Sequence, residues 1–501
     1  MCEERTMRLV VLAVVGCAIG FGSAATAAAP GRDRPNVLLI VCDDLNNHVS
    51  TAGYRPIKTP AFDRLAASGM VFRRAYCQYP VCGPSRSSFL TGLYPESTGV
   101  IDNRTDIRTV RPGTVSLPTL FKRNGYWTGG VGKVFHGKFD QGSLAWHEFH
   151  KFGNERNPVQ EQARREFEAK NGSIDKPENR RAWRQKLRSL RKRKSGQTPP
   201  GYGPTSMTDA EHKDGKNVRQ VAGWLRKRAY GTRPFFIVCG IQKPHVPFWA
   251  PRKYFDMYPK KSLVPPLAPA DDWKDIPQRA MVKRFEAFGF KLGKTNDALS
   301  RNYVQAYHAC ISFIDAQIGL LLATLESEGL ADDTIVVLTS DHGYHLGEHS
   351  MWGKVTLFEE CARVPMVVRV PGRTVAGSRS ESLVELVDLY PTIAGLCGVA
   401  VPEGLQGRSF AGVLKDSRRP ARDSAYTVVT RGKLIGRSIR TRRWRYAEWG
   451  SATENELYDL SADPAEHTNL ARKTGYGEIV TRLRAVLKDR EASGRAQYRG
   501  Q

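Results

Sequence analysis

Four short apolar segments, each followed at once by polar or ionisable residues, constrain the fold of this 501-residue chain more than any other feature. The first covers residues 36–42, N-V-L-L-I-V-C, and ends at Asp43 and Asp44. An unbroken apolar run of this length is typical of a strand that is buried on both faces of a sheet. Helical patterns separate the segments, as in the apolar stripe from Tyr303 to Leu325, and residues 384–397 are expected to form another helix. The alternation predicts an α/β fold with a mostly parallel sheet that helices cover on both faces.

The same arrangement recurs at residues 127–131, 235–239 and 334–339. The polar and ionisable residues that follow the four segments are Asp43, Asp44, Lys133, His136, His245, Asp341 and His342. Ligands of open α/β folds bind at the carboxyl ends of the parallel strands. We therefore expect these side chains to converge, although any one of them taken alone would more often be an ordinary loop residue.

Residues 82–92, C-G-P-S-R-S-S-F-L-T-G, have the features of a short helix. Pro84 suits a first turn, where its missing N–H group costs nothing. Ser85 and Ser87 can accept hydrogen bonds from the free N–H groups of that turn. Gly92 is suited to end the helix. The pattern predicts a helix that begins at its cysteine.

Cys82 would lie in the positive field of the helix start, which favours anions, and Arg86 adds a guanidinium suited to tetrahedral oxyanions. The alternative is a buried or metal-bound cysteine. The run resembles the sulfatase signature, Cys-x-Pro-Ser-Arg, three variable residues and Leu-Thr-Gly, and matches every fixed position. The resemblance implies that a formylglycine-generating enzyme oxidises Cys82 to formylglycine (3-oxoalanine). The hydrated aldehyde would be the nucleophile, supported by Arg86.

The resemblance also implies an alkaline-phosphatase-like fold. Such a fold has a large mixed, mostly parallel sheet sandwiched by helices, and a smaller C-terminal domain with an antiparallel sheet and a helix. Composition changes after Leu414, and residues 416–420, D-S-R-R-P, are typical of a linker. We therefore predict a catalytic domain over residues 33–415 and a C-terminal α+β subdomain over residues 420–501. Residues 137–215 are predicted to be a basic insertion in the first.

Three carboxylates, Asp43, Asp44 and Asp341, suit a hard divalent cation. In sulfatases the equivalent positions bind one Ca²⁺, together with an Asn or His beside the last Asp and an oxygen of the formylglycine. The resemblance thus implies metal ligands at Asp43, Asp44, Cys82, Asp341 and His342. His342 stands where Asn is usual, and imidazole also suits zinc, so the metal identity stays open.

A histidine-based zinc site is the alternative to that calcium site. It would use His342, His345 and His349, and a helix would have to present the last two on one face.

Four further residues have roles only through the resemblance. It implies that Lys133 and Lys354 contact the sulfate and that His136 is the base that expels it from the nucleophile. It also implies that His245 helps to protonate the leaving group, as general acid catalysis requires. For each taken alone, a core histidine or a surface lysine is the ordinary interpretation.

Within the family, the chain is most similar to the iduronate-2-sulfatase branch, which acts on the 2-sulfate of iduronate in heparan and dermatan chains. The motifs that carry this similarity are D-D-L (43–45), G-K-V-F-H (132–136), K-P-H-V-P-F (243–248), D-H-G (341–343) and L-G-E-H (346–349). The substrate class implied is a sulfated sugar or a glycosaminoglycan-type polysaccharide. Two alternatives remain: a phosphodiesterase or phosphonate monoester hydrolase of the same superfold, and a catalytically silent polyanion-binding protein.

Charge favours an acidic partner, because 76 Lys and Arg residues against 50 Asp and Glu give a formal net charge of +26. Residues 180–194 alone hold nine Lys or Arg residues, which are either a solvated surface, the default, or a polyanion contact. An export signal and the lack of a familiar nucleic-acid motif argue against nucleic acid.

Residues 1–29 have the pattern of a cleaved signal peptide, with an apolar core after Arg8 and an Ala-rich end. We therefore predict an exported protein, periplasmic or secreted. Residues 14–17 also resemble a lipoprotein processing site, which would leave Cys17 lipidated, but apolar sequence continues past it. No later segment is expected to span a bilayer. Seven scattered cysteines remain after the leader and predict no disulfide framework.

Overall fold

The computed structural model describes residues 34–137, 139–153, 158–191, 201–282 and 297–496. The predicted signal peptide, Cys17 and residues 192–194 of the basic run lie outside these residues. The described strands are β1 (Asn36–Asp43), β2 (Met70–Tyr76), β3 (Trp127–Gly132), β4 (Glu148–His150), β5 (Tyr202–Thr205), β6 (Phe235–Pro244), β7 (Phe248–Pro251), β8 (Thr334–Ser340), β9 (His345–Leu346), β10 (Trp352–Gly353), β11 (Arg363–Arg369), β12 (Ser378–Glu385), β13 (Ala425–Arg431), β14 (Leu434–Arg440), β15 (Trp444–Trp449) and β16 (Asn455–Asp459).

The described helices are α1 (Pro60–Ser68), α2 (Cys82–Thr91), α3 (Pro95–Thr98), α4 (Ile107–Val110), α5 (Leu117–Arg123), α6 (Pro158–Asn171), α7 (Pro177–Arg191), α8 (Lys213–Arg226), α9 (Arg252–Asp256), α10 (Asp297–Ser327), α11 (Glu359–Ala362), α12 (Leu389–Leu396), α13 (Ala411–Lys415) and α14 (Gly477–Ala496). Short 3₁₀ turns join several of them.

The main sheet has eight strands in the order β12-β2-β11-β8-β1-β6-β3-β4. Only β11 runs antiparallel to its neighbours, and all other neighbouring pairs are parallel. The four strands predicted from apolar runs are the adjacent strands β8, β1, β6 and β3. Their carboxyl ends therefore share one edge, because parallel neighbours end on the same side of a sheet.

The core lies on both faces of this sheet. Leu38 and Ile40 of β1 pack with α1, α8 and α10, whereas Val37 and Leu39 pack on the opposite face with α2, α5 and α12. Each fully buried Val, Leu or Ile contributes roughly 1.5–3 kcal/mol. Because β1 is buried along its whole length, its position in the sheet is strongly fixed, and so is the place where it ends.

The smaller sheet is antiparallel, in the order β13-β14-β15-β16, and α14 packs on it through Leu483 and Leu487. Arg445 of β15 is buried, pairs with Glu466, and lies 3.4 Å from Glu456. The guanidinium also stacks 4.6 Å from the ring centres of Phe358 and Tyr458.

Two expectations about helices were wrong. The helix expected over residues 384–397 begins only at Leu389, because Val384 and Glu385 continue β12 beside β2. The expectation that no later segment could span a bilayer also fails on length and composition, since Ala298–Ser327 in α10 passes that test. In the structure 78% of its most apolar stretch is buried, as in the core helix of a folded domain.

Helices α6 and α7 lie within residues 158–191. The Lys- and Arg-rich residues 180–194, the basic run, begin on α7. Trp183 of α7 packs against Phe167 of α6, with ring centres 5.6 Å apart, while Arg180, Arg181 and Arg184 are exposed. This part of the run is a solvated helix face, the default interpretation of such a run. The seven cysteines of the described residues are all free and buried, as expected.

Candidate active site

A tight turn at the end of β1 places two carboxylates at the edge of the sheet. Asp44 has a φ of 65°, in the left-handed region that few non-glycine residues adopt. Its N–H group donates to Asp341 Oδ1 (3.1 Å), and its carbonyl accepts from the Tyr307 hydroxyl (2.5 Å). Asp341 is fixed in turn, since its N–H group donates to the Cys42 carbonyl (3.1 Å). The turn therefore brings Asp43, Asp44 and Asp341 together.

Helix α2 begins at Cys82 and ends at Gly92, which has a φ of 71°, as predicted. The capping prediction for Ser85 was wrong, because its hydroxyl donates to the Asp341 carbonyl (2.5 Å). The residue that precedes the helix is Val81, whose side chain has no hydrogen-bond acceptor and therefore makes no capping bond. Ser85 thus ties the helix start to the end of β8 instead.

The sulfur of Cys82 is buried among charged groups. It lies 3.1 Å from Lys354 Nζ, 3.4 Å from His342 Nε2 and 4.0 Å from Asp44 Oδ1. Burial and Asp43 raise the pKa of the Cys82 thiol, but Lys133 and Lys354 outweigh them and hold that pKa well below its ordinary value. This position therefore favours a negative charge.

Cations pair with all three carboxylates. Lys354 Nζ lies 2.6 Å from Asp44 Oδ1, and Lys133 Nζ pairs with Asp43. Arg86 is fully buried, with its Nε 2.9 Å from Asp341 Oδ2 and a terminal nitrogen 3.7 Å from Asp43. The Arg86 guanidinium also donates to the carbonyls of Lys133 and Val134, so it joins three strand ends.

The carboxylates retain atoms that could bind a cation. Asp43 Oδ1 and Asp44 Oδ2 are buried and have no hydrogen-bond partner among the described residues. Two overlapping groups each bring four potential ligand atoms within 4.8 Å of one another. The groups are Asp43, Asp44, Cys82 and His245, and Asp43, Cys82, Asp341 and His342. The carboxylate oxygens fit Ca²⁺, which takes oxygen ligands, although a thiol at position 82 does not.

His342 faces Cys82 because its other ring nitrogen is occupied. Nδ1 donates to the Gly343 carbonyl (3.0 Å), which leaves Nε2 toward the sulfur. Burial lowers the pKa of His342, but Asp341 more than compensates, and the pKa is raised to about 9. Without a metal ion His342 thus adds to the positive charge around Cys82, whereas as a metal ligand its Nε2 would have to be deprotonated.

The three-histidine zinc site does not form in the described residues. His342 belongs to the carboxylate group, whereas His345 Nε2 bonds to Thr356 Oγ1 (2.7 Å) and His349 Nδ1 bonds to Asp272 Oδ2 (3.0 Å). No long helix presents His345 and His349 together, because they lie in β9 and a short 3₁₀ turn.

Two histidines at the rim have pKa values that are shifted in opposite directions. His136 Nδ1 bonds to the Asn103 carbonyl (3.0 Å), and burial and Lys133 lower its pKa. His245 Nδ1 bonds to the Val246 carbonyl (2.6 Å), and its Nε2 lies 4.0 Å from Asp44. Burial lowers the pKa of His245, but Asp44 and Asp43 outweigh it and raise the pKa. His136 is therefore suited to accept a proton and His245 to donate one.

Two supporting residues were missed from the sequence. Asn103 holds His136 through its carbonyl and accepts the Gly83 N–H through its side chain (2.8 Å). Asp214 accepts the N–H groups of Gln242 and Lys243 (2.8 Å each) and shapes the end of β6 before His245. No local motif assigns either residue to the site, because each acts from a distant segment.

One glycine in the G-K-V-F-H motif is needed for close packing. Gly132 has a φ of 68°, and a Cβ atom there would lie 2.1 Å from the Gly240 carbonyl oxygen. A position with a left-handed φ and no room for Cβ requires glycine. It lets β3 and β6 stay in contact where the chain turns into Lys133.

Comparisons with known proteins agree with this geometry. Residues 35–399 match the family described as Sulfatase, and residues 347–493 match the one described as N-sulphoglucosamine sulphohydrolase, C-terminal. A sulfatase of Formosa agariphila is 33% identical, over 93% of this chain and 88% of the relative. Human iduronate 2-sulfatase is 29% identical, over 94% of this chain and 97% of the relative.

Among solved structures, a phosphonate monoester hydrolase from Silicibacter pomeroyi superposes with a TM-score of 0.74 at 23% identity. The similarity covers 92% of this chain and 96% of that one. It concerns the fold alone. The alkaline-phosphatase-like architecture predicted from the sequence, a large mostly parallel sheet between helices with a smaller antiparallel sheet, is confirmed.

Proposed function

Because this chain belongs to the sulfatase family, whose members are sulfuric ester hydrolases, we propose that it hydrolyses the sulfate ester of a sulfated sugar, with residue 82 as nucleophile. One observation carries the proposal. Lys354 Nζ lies 3.1 Å from Cys82 Sγ and 2.6 Å from Asp44 Oδ1. The proposed nucleophile, a lysine ammonium group and a carboxylate are therefore in contact.

A cation and a modified residue complete the proposal. Asp43, Asp44, Asp341 and His342 would hold one Ca²⁺, with the oxygen of formylglycine at position 82, and the free oxygens of Asp43 and Asp44 support this. When present, the ion would neutralise carboxylate charge and polarise a sulfate oxygen, and the aldehyde hydrate would provide an oxygen nucleophile. Formylglycine would also replace the thiol, a poor calcium ligand, by oxygen.

The residues of the chain have separate tasks in this proposal. Lys133 and Lys354 hold the negative charge of the sulfate, which must stay stabilised as the S–O bond changes. His245 holds a proton for the oxygen of the leaving alcohol, and the raised pKa supports that role. His136 accepts a proton when sulfate is released, and the lowered pKa supports that role. Arg86 holds the carboxylates and strand ends in place.

A sulfated saccharide of the iduronate-2-sulfate type is the substrate that we propose to test first. The similarity to human iduronate 2-sulfatase over nearly the whole chain supports it. The net charge of +26 supports a polyanionic substrate. We also propose export to the periplasm or the medium after removal of residues 1–29, and maturation of Cys82 by a formylglycine-generating enzyme.

The test begins with mass spectrometry of the Cys82 peptide from protein purified from its native host, with hydrazine trapping of an aldehyde. Turnover is then measured on 2-O-, 6-O- and N-sulfated disaccharides, with an aryl sulfate, an aryl phosphate and an aryl phosphonate beside them. We expect formylglycine and preferential cleavage of 2-O-sulfate, with loss of activity in EGTA and recovery with Ca²⁺. Faster phosphonate cleavage would support the phosphonate hydrolase alternative. An unmodified thiol in inactive native protein would support the polyanion-binding alternative.

A further inference from the structure

A second group of metal-ligand side chains lies outside the active site. His349, Glu360 and Glu466 each bring one ligand atom within 4.8 Å of the other two. They come from the turn after β9, from α11, and from the segment that follows β16. None of the three belongs to the groups around Cys82. The cluster therefore joins the loop that leads to Lys354 with the C-terminal part of the chain.

His349 has the orientation of a metal ligand. Its side chain is fully buried, and Nδ1 bonds to Asp272 Oδ2 at 3.0 Å. Nε2 is buried and has no hydrogen-bond partner among the described residues. A carboxylate that fixes one ring nitrogen while the other faces a cation is the usual arrangement of metal-binding histidines. The Trp273 indole donates to the His349 carbonyl (2.6 Å) and holds the turn.

Two carboxylates, those of Glu360 and Glu466, lie near His349 Nε2. Glu360 Oε2 is buried and has no hydrogen-bond partner among the described residues. Glu466 accepts a hydrogen bond from the Glu359 N–H group (2.9 Å) and forms an ion pair with Arg445. Arg445 also forms an ion pair with Glu456. Burial, then Glu348 and Glu466, raise the pKa of Glu360 to about 8. The Glu360 oxygen and the His349 nitrogen are therefore two potential ligand atoms that no other described residue satisfies.

We propose that His349 Nε2, Glu360 and Glu466 bind a second divalent metal ion, distinct from the active-site cation, and that zinc fits this site best. One imidazole and two carboxylates match the nitrogen and oxygen ligands that Zn²⁺ accepts, and a water molecule would complete four-coordination. Calcium, by contrast, takes six to eight oxygen ligands.

An open cavity reaches one residue of the cluster, Glu360. Glu360 and Glu348 line an open cavity of about 270 Å³, together with His48, Tyr54 and Arg363. Lys354 follows His349 by five residues, so the ion would anchor the loop that carries an active-site lysine to the C-terminal segment. The site would therefore be structural, and its existence does not depend on the proposed substrate.

The experiment measures metal content of the purified full-length enzyme by mass spectrometry, after chelation and reloading with equal Ca²⁺ and Zn²⁺. We expect one equivalent of zinc in the wild type and at least a tenfold loss in Glu360→Gln. Asp341→Asn, the matched control in the active site, should keep zinc and lose calcium. His349→Asn is the second variant, because Asn tolerates the φ of 53° at this position.

A thermal unfolding experiment on the wild type tests the proposed metal site without any substitution. Zinc should raise the unfolding midpoint by a few degrees, since a ligand that binds only the native state stabilises it. Equal zinc in wild type and Glu360→Gln, or a midpoint that zinc leaves unchanged, would overturn the proposal. A proton would then replace the ion, and wild-type stability would fall between about pH 4.5 and 8 as Glu360 ionises, whereas Glu360→Gln would not show that fall.

Discussion

The candidate active site and the ion pairs of Arg445 with Glu456 and Glu466 both consist of buried cations and carboxylates. They differ in which polar atoms have no hydrogen-bond partner. At the active site the unpartnered atoms are carboxylate oxygens, Asp43 Oδ1 and Asp44 Oδ2. Among the described residues, the unpartnered atom of Arg445 itself is a donor, one terminal guanidinium nitrogen. The side chain of His245 is 26% exposed at the first, whereas that of Arg445 is 2% exposed. Unpartnered carboxylate oxygens beside a partly exposed histidine indicate a place for a cation and a substrate, whereas the buried ion pairs of Arg445 indicate a structural role.

Because of this difference, we expect substitutions in one region to change the rate of turnover and substitutions in the other to change stability. Substitutions at the sheet edge should lower turnover with small changes in folding, because the groups there act on a bound substrate. Substitutions in the Arg445 network should lower the free energy of unfolding and leave the turnover of folded molecules nearly unchanged.

The largest effect is expected for Cys82→Ala, which should lower kcat/KM by about 10³-fold or more because it removes the nucleophile. The matched control is Cys397→Ala, a buried cysteine packed on the core face of the main sheet, far from the charged cluster. It should cost roughly 1 kcal/mol of stability and keep kcat. Equal activity losses in the two variants would remove the distinction between the regions. Steady-state kinetics and urea unfolding supply the two measurements.

Lys354→Met and Arg445→Met test the two regions directly, since each removes a buried cation. Lys354→Met should lower kcat by about 10²–10³-fold, because charge on the sulfate loses a stabilising partner. Arg445→Met should lower stability by about 3–5 kcal/mol, because Glu466 and Glu456 stay buried without their cation. If Arg445→Met lost turnover without losing stability, the network would have to be assigned to the active site.

His136→Gln should lower kcat by about 10²-fold, the lower end of the range for a lost general base. Burial and Lys133 hold the pKa of His136 below its ordinary value of about 6.5. The neutral base is present above that pKa, so wild-type kcat should decline as the pH drops below about 6.5. This decline of kcat at low pH should be absent in His136→Gln and present in the control Asn103→Ala. A pH–rate profile with this decline unchanged in His136→Gln would assign the base elsewhere.

Asn103→Ala should have the smallest effect, a loss of about tenfold in kcat with KM nearly unchanged. The side-chain bond to the Gly83 N–H is lost, while the backbone carbonyl that holds His136 remains. Asn103 is thus a positioning residue, and Asn103→Asp, which keeps the acceptor oxygen, should restore part of the rate. No difference between the two variants would show that this bond does not position the helix start.

Much of the main sheet was predictable because its signal is local. The strands β1, β3, β6 and β8 are buried on both faces, so each is a continuous apolar run with a polar end. Helix α2 was predictable from Pro84 and Gly92, whereas the role of Cys82 as nucleophile, taken from the signature, stays a prediction. The residues that follow those four strands do lie at one edge, although their individual roles remain predictions.

What the sequence did not predict depends on contacts between distant segments. Ser85 bonds to Asp341, 256 residues away, so its neighbours in sequence suggested a cap. The late start of α12 follows from pairing of β12 with β2. His349 and Glu466 meet only through the packing of the C-terminal segment, which no periodicity encodes.

The hydroxyl of Tyr307 ties the Asp44 turn to the middle of α10, a helix of 31 residues that runs through the core. The turn that carries two carboxylates therefore cannot loosen unless it breaks its bond to this long core helix or the helix also moves. Backbone amides of this turn should exchange with solvent only through global unfolding. On heating, activity should consequently persist up to the unfolding transition and disappear with it, rather than decay earlier through local opening of the site.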